Sequence, residues 1–322
     1  MAKYKLSKLI RLFHKFGGFR LVKGYFKLGI LGIVIKECVK GTLKRKSADE
    51  VYFAYQHIIV KAVQEQYKSV MSEALKTYTE KQLDKQRSNI IWYCWLQGIE
   101  NAPSIIHICL SSLKKQIAGK DIKVVDDSNR HQLVELPEFI ETKWKKKLIP
   151  PAMFADLLRL ELLIKYGGTW IDSTILCTGS NYLPECLDAD LFFFQFKKNE
   201  NAPFAGISNW FITSCQNNVL LMALRDMLYA YWKDHDCVLE YFIFHRFFDM
   251  IAEERPDEVS KIPYAYSPNV LALGHNWGRT FKQDTWERLI SVVAFHKLAY
   301  KIEDSVVKDK SNYYNYIVKT YG

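Results

Sequence analysis

Hydrophobic positions recur in two rhythms along this chain. After Pro150-Pro151, the residues Leu157, Leu158, Leu160, Leu162, Leu163 and Ile164 continue for several turns until Gly167-Gly168, which predicts a helix closed by a glycine cap. The following Thr169-Trp-Ile-Asp-Ser-Thr-Ile-Leu176 is rich in β-branched and aromatic side chains and predicts a buried strand that delivers Asp172 to its edge. Upstream, Asn89-Ile-Ile-Trp-Tyr-Cys-Trp-Leu96 reads as a first strand, Pro103 starts a helix through Lys115, and Asp121-Ile-Lys-Val-Val125 reads as the next strand. A helical segment over residues 48–87 precedes them, and Leu136-Pro-Glu-Phe-Ile-Glu with the basic cluster Lys143 to Lys147 predicts a further helix. Strand, helix and strand in alternation imply an α/β fold with right-handed parallel crossovers. No internal repeat or low-complexity linker interrupts it.

Candidate chemistry collects around the glycine pair. Asp156 and Arg159 are three apart near the start of one helix, so they project from neighbouring points of one face. Ligands of open parallel sheets bind beyond the carboxyl ends of the strands, where Trp95, Gln97 and Asp172 fall. Carboxylate, guanidinium and hydroxyl groups around one turn suit a metal and a diphosphate. The competing reading of Asp172-Ser173-Thr174 is a capped turn, and that of Trp95 is a core tryptophan.

The signature Asp156, Arg159, Tyr166-Gly-Gly-Thr-Trp-Ile-Asp-Ser-Thr174 resembles that of glycosyltransferases with a D-x-D sugar-binding motif, and most of all bacterial capsular polysaccharide synthesis transferases. Ile91-Trp-Tyr-Cys-Trp-Leu-Gln-Gly-Ile-Glu-Asn-Ala-Pro103, Ser208-Asn-Trp-Phe-Ile212, Tyr241-Phe-Ile-Phe-His245 and Phe295-His-Lys-Leu-Ala-Tyr-Lys301 extend the likeness to roughly residues 88–302. It implies a glycosyltransferase A-type, Rossmann-like and mostly parallel central sheet flanked by helices, with a helical N-terminal addition. By resemblance, Trp95 stacks on a nucleotide base, with Gln97 beside it; Asp156 holds ribose or sugar hydroxyls; and Arg159 holds the donor. Asp172 and Thr174 ligate Mn²⁺ or Mg²⁺, with Ser173 at the donor. The second acid of D-x-D is Thr174 here, so His296 is expected to supply a ligand, and Lys297 or Lys301 to neutralise the leaving phosphate. His275, in a glycine-flanked loop, is a second candidate. Asn209, Trp210 and Glu240 would present groups to the sugar, Glu240 at the reacting centre with Asp172 and Arg159; for all three a structural role is the rival reading.

Composition changes this picture at one end. The 322 residues are 49% apolar, enough for a sizeable core, and the net charge is +10. Residues 1–46 carry 13 Lys or Arg and one acid, Glu37, whereas the remainder holds 32 basic and 34 acidic residues. Leu9, Ile10, Leu12, Phe13 and Phe16 alternate with Lys8, Arg11 and Lys15, and the run Leu28-Gly-Ile-Leu-Gly-Ile-Val-Ile35 follows; the pattern suits a basic amphipathic helix on an anionic bilayer. The apolar run is too short to span a membrane, and packing as a lid or phosphate contacts with nucleic acid are the rivals. Seven scattered cysteines without a C-x-x-C pair suggest reduced thiols in a cytosolic setting.

The expected organisation is a membrane-associating arm (1–46), a helical segment (47–88), a nucleotide-sugar-binding catalytic domain (89–305) and a C-terminal tail (306–322). The resemblance implies a retaining hexosyltransferase that moves galactose or glucose, with UDP as the expected nucleotide, to a lipid-linked oligosaccharide at the cytoplasmic face of the membrane. No nucleic-acid partner is expected. The alternatives are a catalytically silent nucleotide-sugar binder and a basic membrane-binding module.

Overall fold

The structure is a computed structural model that describes residues 18–196 and 206–322. The amphipathic residues 9–16 lie outside the described residues. The chain divides into two units that interleave in sequence: the first takes residues 18–82, 136–157 and 219–255, the second residues 83–135, 158–218 and 256–322. The expected consecutive domains are therefore not the compact units of the structure.

The first unit is helical. Its longest element, Ala48–Glu80, starts at Ser47 in a capping box: the Glu50 amide donates to Ser47 Oγ (3.2 Å) and the Ser47 amide to Glu50 Oε2 (2.7 Å). Ile59, Val63, Tyr67, Met71 and Leu75, spaced by four, form its buried stripe. Helix Val219–Asp234 packs against this helix. Tyr67 donates its hydroxyl to Asp234 (3.0 Å) and Tyr78 donates to Asp226 (2.7 Å), so the polar edges of the packing are tied. The helix ends at Glu80, earlier than residue 87, with the chain left-handed at Gln82 (φ 45°). Two shorter helices, Phe19–Lys27 and Leu31–Leu43, are separated where Gly29 takes φ 69°, so the apolar run 28–35 is not one helical stripe. Tyr25, Ile30 and Val34 are buried, whereas Phe19, Phe26, Ile33, Ile35, Val39 and Leu43 face solvent.

The second unit holds the sheet. Strands β1 (Ile90–Cys94), β2 (Asp121–Val125), β3 (Gly168–Asp172), β5 (Leu191–Gln195) and β6 (Ile207–Ser214) form one sheet in the order β2-β1-β3-β6-β5; β4 (Ile175–Cys177) and β7 (Phe295–Lys297) form a separate antiparallel pair. β1 pairs in parallel with β2 and β3, and β6 is antiparallel to both neighbours. Four of the five strands thus run one way, the mixed but mostly parallel α/β sheet the alternation implies. The strands of β1 and β3 are near-continuous apolar runs because helices cover both faces. The stretch 169–176 is not one strand: a turn at Ser173-Thr174 ends β3 and sends β4 to the second sheet. Residues 306–322 are not a tail, since helix Tyr313–Tyr321 packs on helix Ser104–Gln116 with Tyr313 and Ile317 buried.

Candidate active site

Two glycines turn the helix Pro151–Tyr166 into β3. Gly167 and Gly168 have φ of 65° and 95°, and a Cβ on Gly168 would come 2.3 Å from the Ile90 carbonyl oxygen, so no other residue fits between β1 and β3 there. Trp92 clamps the turn by donating its indole N–H to the Gly167 carbonyl (2.9 Å). The reversal brings Arg159 of the helix to Asp172 at the end of β3.

Trp170 and Asp172 are two apart on β3 and so share a face. The Trp170 indole donates to Asp172 Oδ1 (2.9 Å), the Arg159 guanidinium donates to the same oxygen (3.1 Å), and the guanidinium lies 4.7 Å from the Trp170 ring centroid. Lys297, the last residue of β7, donates to Asp172 Oδ2 (2.9 Å) and to Thr174 Oγ1. Burial pulls the Asp172 carboxyl upward, but the charges of Lys297 and Arg159, with hydrogen bonds from Trp170 and Lys297, outweigh it and hold the acid below its ordinary range. Asp172 is 26% exposed and Lys297 23%, whereas Arg159 is 4%, so solvent reaches the cluster at Asp172 and Lys297 while the guanidinium is covered.

The surrounding backbone is fixed closely. The Tyr93 hydroxyl lies 2.7 Å from the carbonyl oxygens of both Ser173 and Ile106, and the Leu298 amide donates to the Thr174 carbonyl (2.9 Å). A Cβ on Gly274, in helix Ser267–Asn276, would lie 2.5 Å from the Lys297 carbonyl oxygen, so this glycine lets the helix press directly on the β7 backbone.

Trp95 lies at the same sheet edge, since Cys94 is the partner of Asp172 in the β1–β3 register. Its ring meets Tyr300 edge to face (5.1 Å, 87°), and its buried indole N–H has no hydrogen-bond partner among the described residues. Lys301 is exposed, its ammonium 5.7 Å from the Tyr300 ring, and Gln97 is exposed two residues after Trp95, in the turn that follows β1. Asp156 is buried one helical turn before Arg159.

Other expected residues go elsewhere. His296 is fully buried, and its Nε2 lies 3.1 Å from Thr178 Oγ1. Neighbouring side chains on a strand point to opposite faces, so the register that gives Lys297 to Asp172 turns His296 into the core. Burial lowers its pKa to about 3. Trp210 stacks on Phe194 (5.1 Å, 21°) inside the hydrophobic cluster, and Asn209 is half-buried beside it on β6. Glu240 is buried in the helical unit, where Oε2 accepts from Gln56 (3.2 Å) and Oε1 from the Phe242 amide (3.0 Å) ahead of helix Ile243–Glu254. His275 is exposed in the last turn of a helix rather than in a loop.

The expected Mn²⁺ or Mg²⁺ does not fit these donors. Both oxygens of Asp172 and the Thr174 hydroxyl are engaged by cations or N–H donors, His296 is turned away, and among the described residues no group of three or more His, Cys, Asp or Glu gathers anywhere. Trp170, Tyr93, Gly274 and Tyr300 escaped the sequence reading; strand alternation from Asp172 was the signal that could have found Trp170.

Residues 40–317 match a family model described as capsular polysaccharide synthesis protein. No curated protein matches the chain. Among solved structures, the chain is similar to one titled PaToxG Glycosyltransferase, at 15% identity and a TM-score of 0.39, with 83% of this chain and 99% of that chain covered.

Proposed function

The chain belongs to the capsular polysaccharide synthesis family, and on that premise we propose that it is a retaining glycosyltransferase moving a hexose, galactose or glucose, from UDP to a lipid-linked glycan. The observation that carries this reading is the cluster at the carboxyl edge of β3: one partly exposed carboxylate held between Arg159 and Lys297. Such a pair of cations suits the oxygens of a diphosphate, and Trp95 with Tyr300 offers an aromatic surface for a base at the same edge.

In the transfer, the bond from the anomeric carbon to the diphosphate oxygen breaks and its electron pair stays with the diphosphate. Arg159 and Lys297 stabilise the charge that grows there, and Asp172 keeps both in place before the donor arrives. The acceptor hydroxyl oxygen bonds to the anomeric carbon on the face the diphosphate leaves, and its proton passes to the departing phosphate oxygen. No protein nucleophile is required.

The acceptor places the reaction at the cytoplasmic face of a membrane. No helix among the described residues is long and apolar enough to cross one. What supports surface attachment is the pair of helices Phe19–Lys27 and Leu31–Leu43, where exposed Phe19, Phe26, Ile33, Ile35, Val39 and Leu43 lie among exposed Arg20, Lys23, Lys27, Lys36 and Lys40.

The test is a screen of UDP-glucose and UDP-galactose for UDP release, and of the released sugar for anomeric configuration, using the native chain and Asp172→Asn. Release by the native chain and its loss in the variant is the expected result. Tight donor binding with no release under any condition would sink the transferase reading and favour a nucleotide-sugar binder.

A further inference from the structure

We infer that Lys297 takes the place of a divalent cation in this site, so that the donor diphosphate is gripped by an ammonium and a guanidinium belonging to the chain itself. The inference rests on the donor-site reading above.

Three observations converge on it. The first is position. The Lys297 ammonium bridges Asp172 Oδ2 and Thr174 Oγ1, the two side chains that a metal bound at this turn would have to share. The second is valence. An ammonium has three N–H donors; two are spent on Asp172 and Thr174, and the third has no partner among the described residues, with the side chain part-exposed. A phosphate oxygen is the natural acceptor for it, as a lysine serves phosphate as a point charge.

The third is charge. Two carboxylates around a dication sum to zero, and so do one carboxylate and one ammonium. Exchanging an acid for Thr174 and a metal for Lys297 therefore leaves the local charge unchanged, whereas a dication added to the present cluster of Asp172, Arg159 and Lys297 would meet two cations and one carboxylate with both oxygens already accepting hydrogen bonds. His296 brings no ligand to offset this, because it faces Thr178 in the core.

The backbone is built to hold Lys297 in that place. β7 pairs Lys297 with Ile175, the Leu298 amide donates to the Thr174 carbonyl, and Gly274 allows a helix to lie against the Lys297 carbonyl. A side chain fixed this way is present before the donor binds, and its occupancy does not depend on free metal.

The test measures UDP binding to the full chain by titration calorimetry, in excess EDTA and in Mn²⁺, alongside hydrolysis of the active UDP-sugar. The expected result is the same affinity and rate within about twofold in both buffers. Lys297→Met should weaken UDP binding by about tenfold or more, close to 1.4 kcal/mol, and Lys297→Arg should restore most of it. A loss of tenfold or more in EDTA that Mn²⁺ restores would overturn the inference, as would a folded Lys297→Met that binds UDP as tightly as the native chain. The buffer comparison uses native protein and so stands even if Lys297→Met does not fold. Absence of UDP binding in every buffer would instead remove the donor site itself, an outcome separable from metal dependence.

Discussion

Replacing Asp172 by Asn keeps the shape of the side chain and removes its charge. With the amide oxygen in the Oδ1 position it still accepts from Trp170 and Arg159, but the amide nitrogen then faces the Lys297 ammonium, donor against donor, where the acid accepted. At an effective dielectric near 20, unit charges about 3 Å apart attract by about 5 kcal/mol, and desolvation offsets a large part of that. With Asp172 26% exposed, the substitution is expected to cost about 2–3 kcal/mol at pH 7. For a chain of this length that is a fall in Tm of about 3–4 °C. The pH dependence has a definite sign. The folded acid titrates below its unfolded value of about 3.9, so its stabilising charge is complete above that value and is lost as pH falls through the lower folded one. Urea unfolding of the two proteins side by side should therefore give a difference that is flat from about pH 7 to 5 and shrinks below about 4. Other titrating groups are common to both proteins and cancel. A difference that stays constant or widens down to pH 3 would refute the claim that Asp172 is held ionised by Lys297 and Arg159.

Three further outcomes are expected. Gly168→Ala should destabilise by about 3 kcal/mol or more or yield insoluble protein, read by thermal melting and yield, because its Cβ meets the Ile90 carbonyl at 2.3 Å in a left-handed backbone; a native-like melt would mean the β1–β3 approach is looser than described. His296, with its pKa lowered to about 3, and His235, lowered to about 4, both by burial, contribute stability that is complete above about pH 6.5 and lost on acidification; His296→Leu should flatten the fall in unfolding free energy between about pH 6 and 4 by roughly 1.4 kcal/mol per pH unit. Phe26→Glu with Val39→Glu should lower sedimentation with anionic vesicles without altering UDP-sugar hydrolysis in solution, since both side chains are exposed on the N-terminal helices; unchanged sedimentation would count against attachment through these helices.

The local parts of the site were readable from sequence, and the non-local parts were not. The helix before Gly167-Gly168, the strand 121–125 and the meeting of Arg159 with Asp172 follow from periodicity and a turn that only glycine permits, all within a short stretch of chain. The choice between His296 and Lys297 does not. A three-residue strand has no alternation to set its phase, and a shift of one residue exchanges the side chain that faces Asp172 with the one that faces the core. Glu240 and Trp210 looked available for the same reason: polar or aromatic character is visible in a sequence, whereas the Gln56 and Phe194 that occupy them come from distant segments. The interleaving of two compact units through three stretches each is equally beyond any local pattern.

Arg159 and Asp172 are 13 residues apart, while Lys297 follows Asp172 by 125. During synthesis the arginine and the acid can therefore meet long before the lysine leaves the ribosome, and the loop that joins the lysine to them is among the last to close. A chain interrupted anywhere between residues 173 and 296 would carry the anion and one cation but lack the other. The cluster is thus complete only once translation has run through β7, and an unfinished copy has no second positive charge beside Asp172.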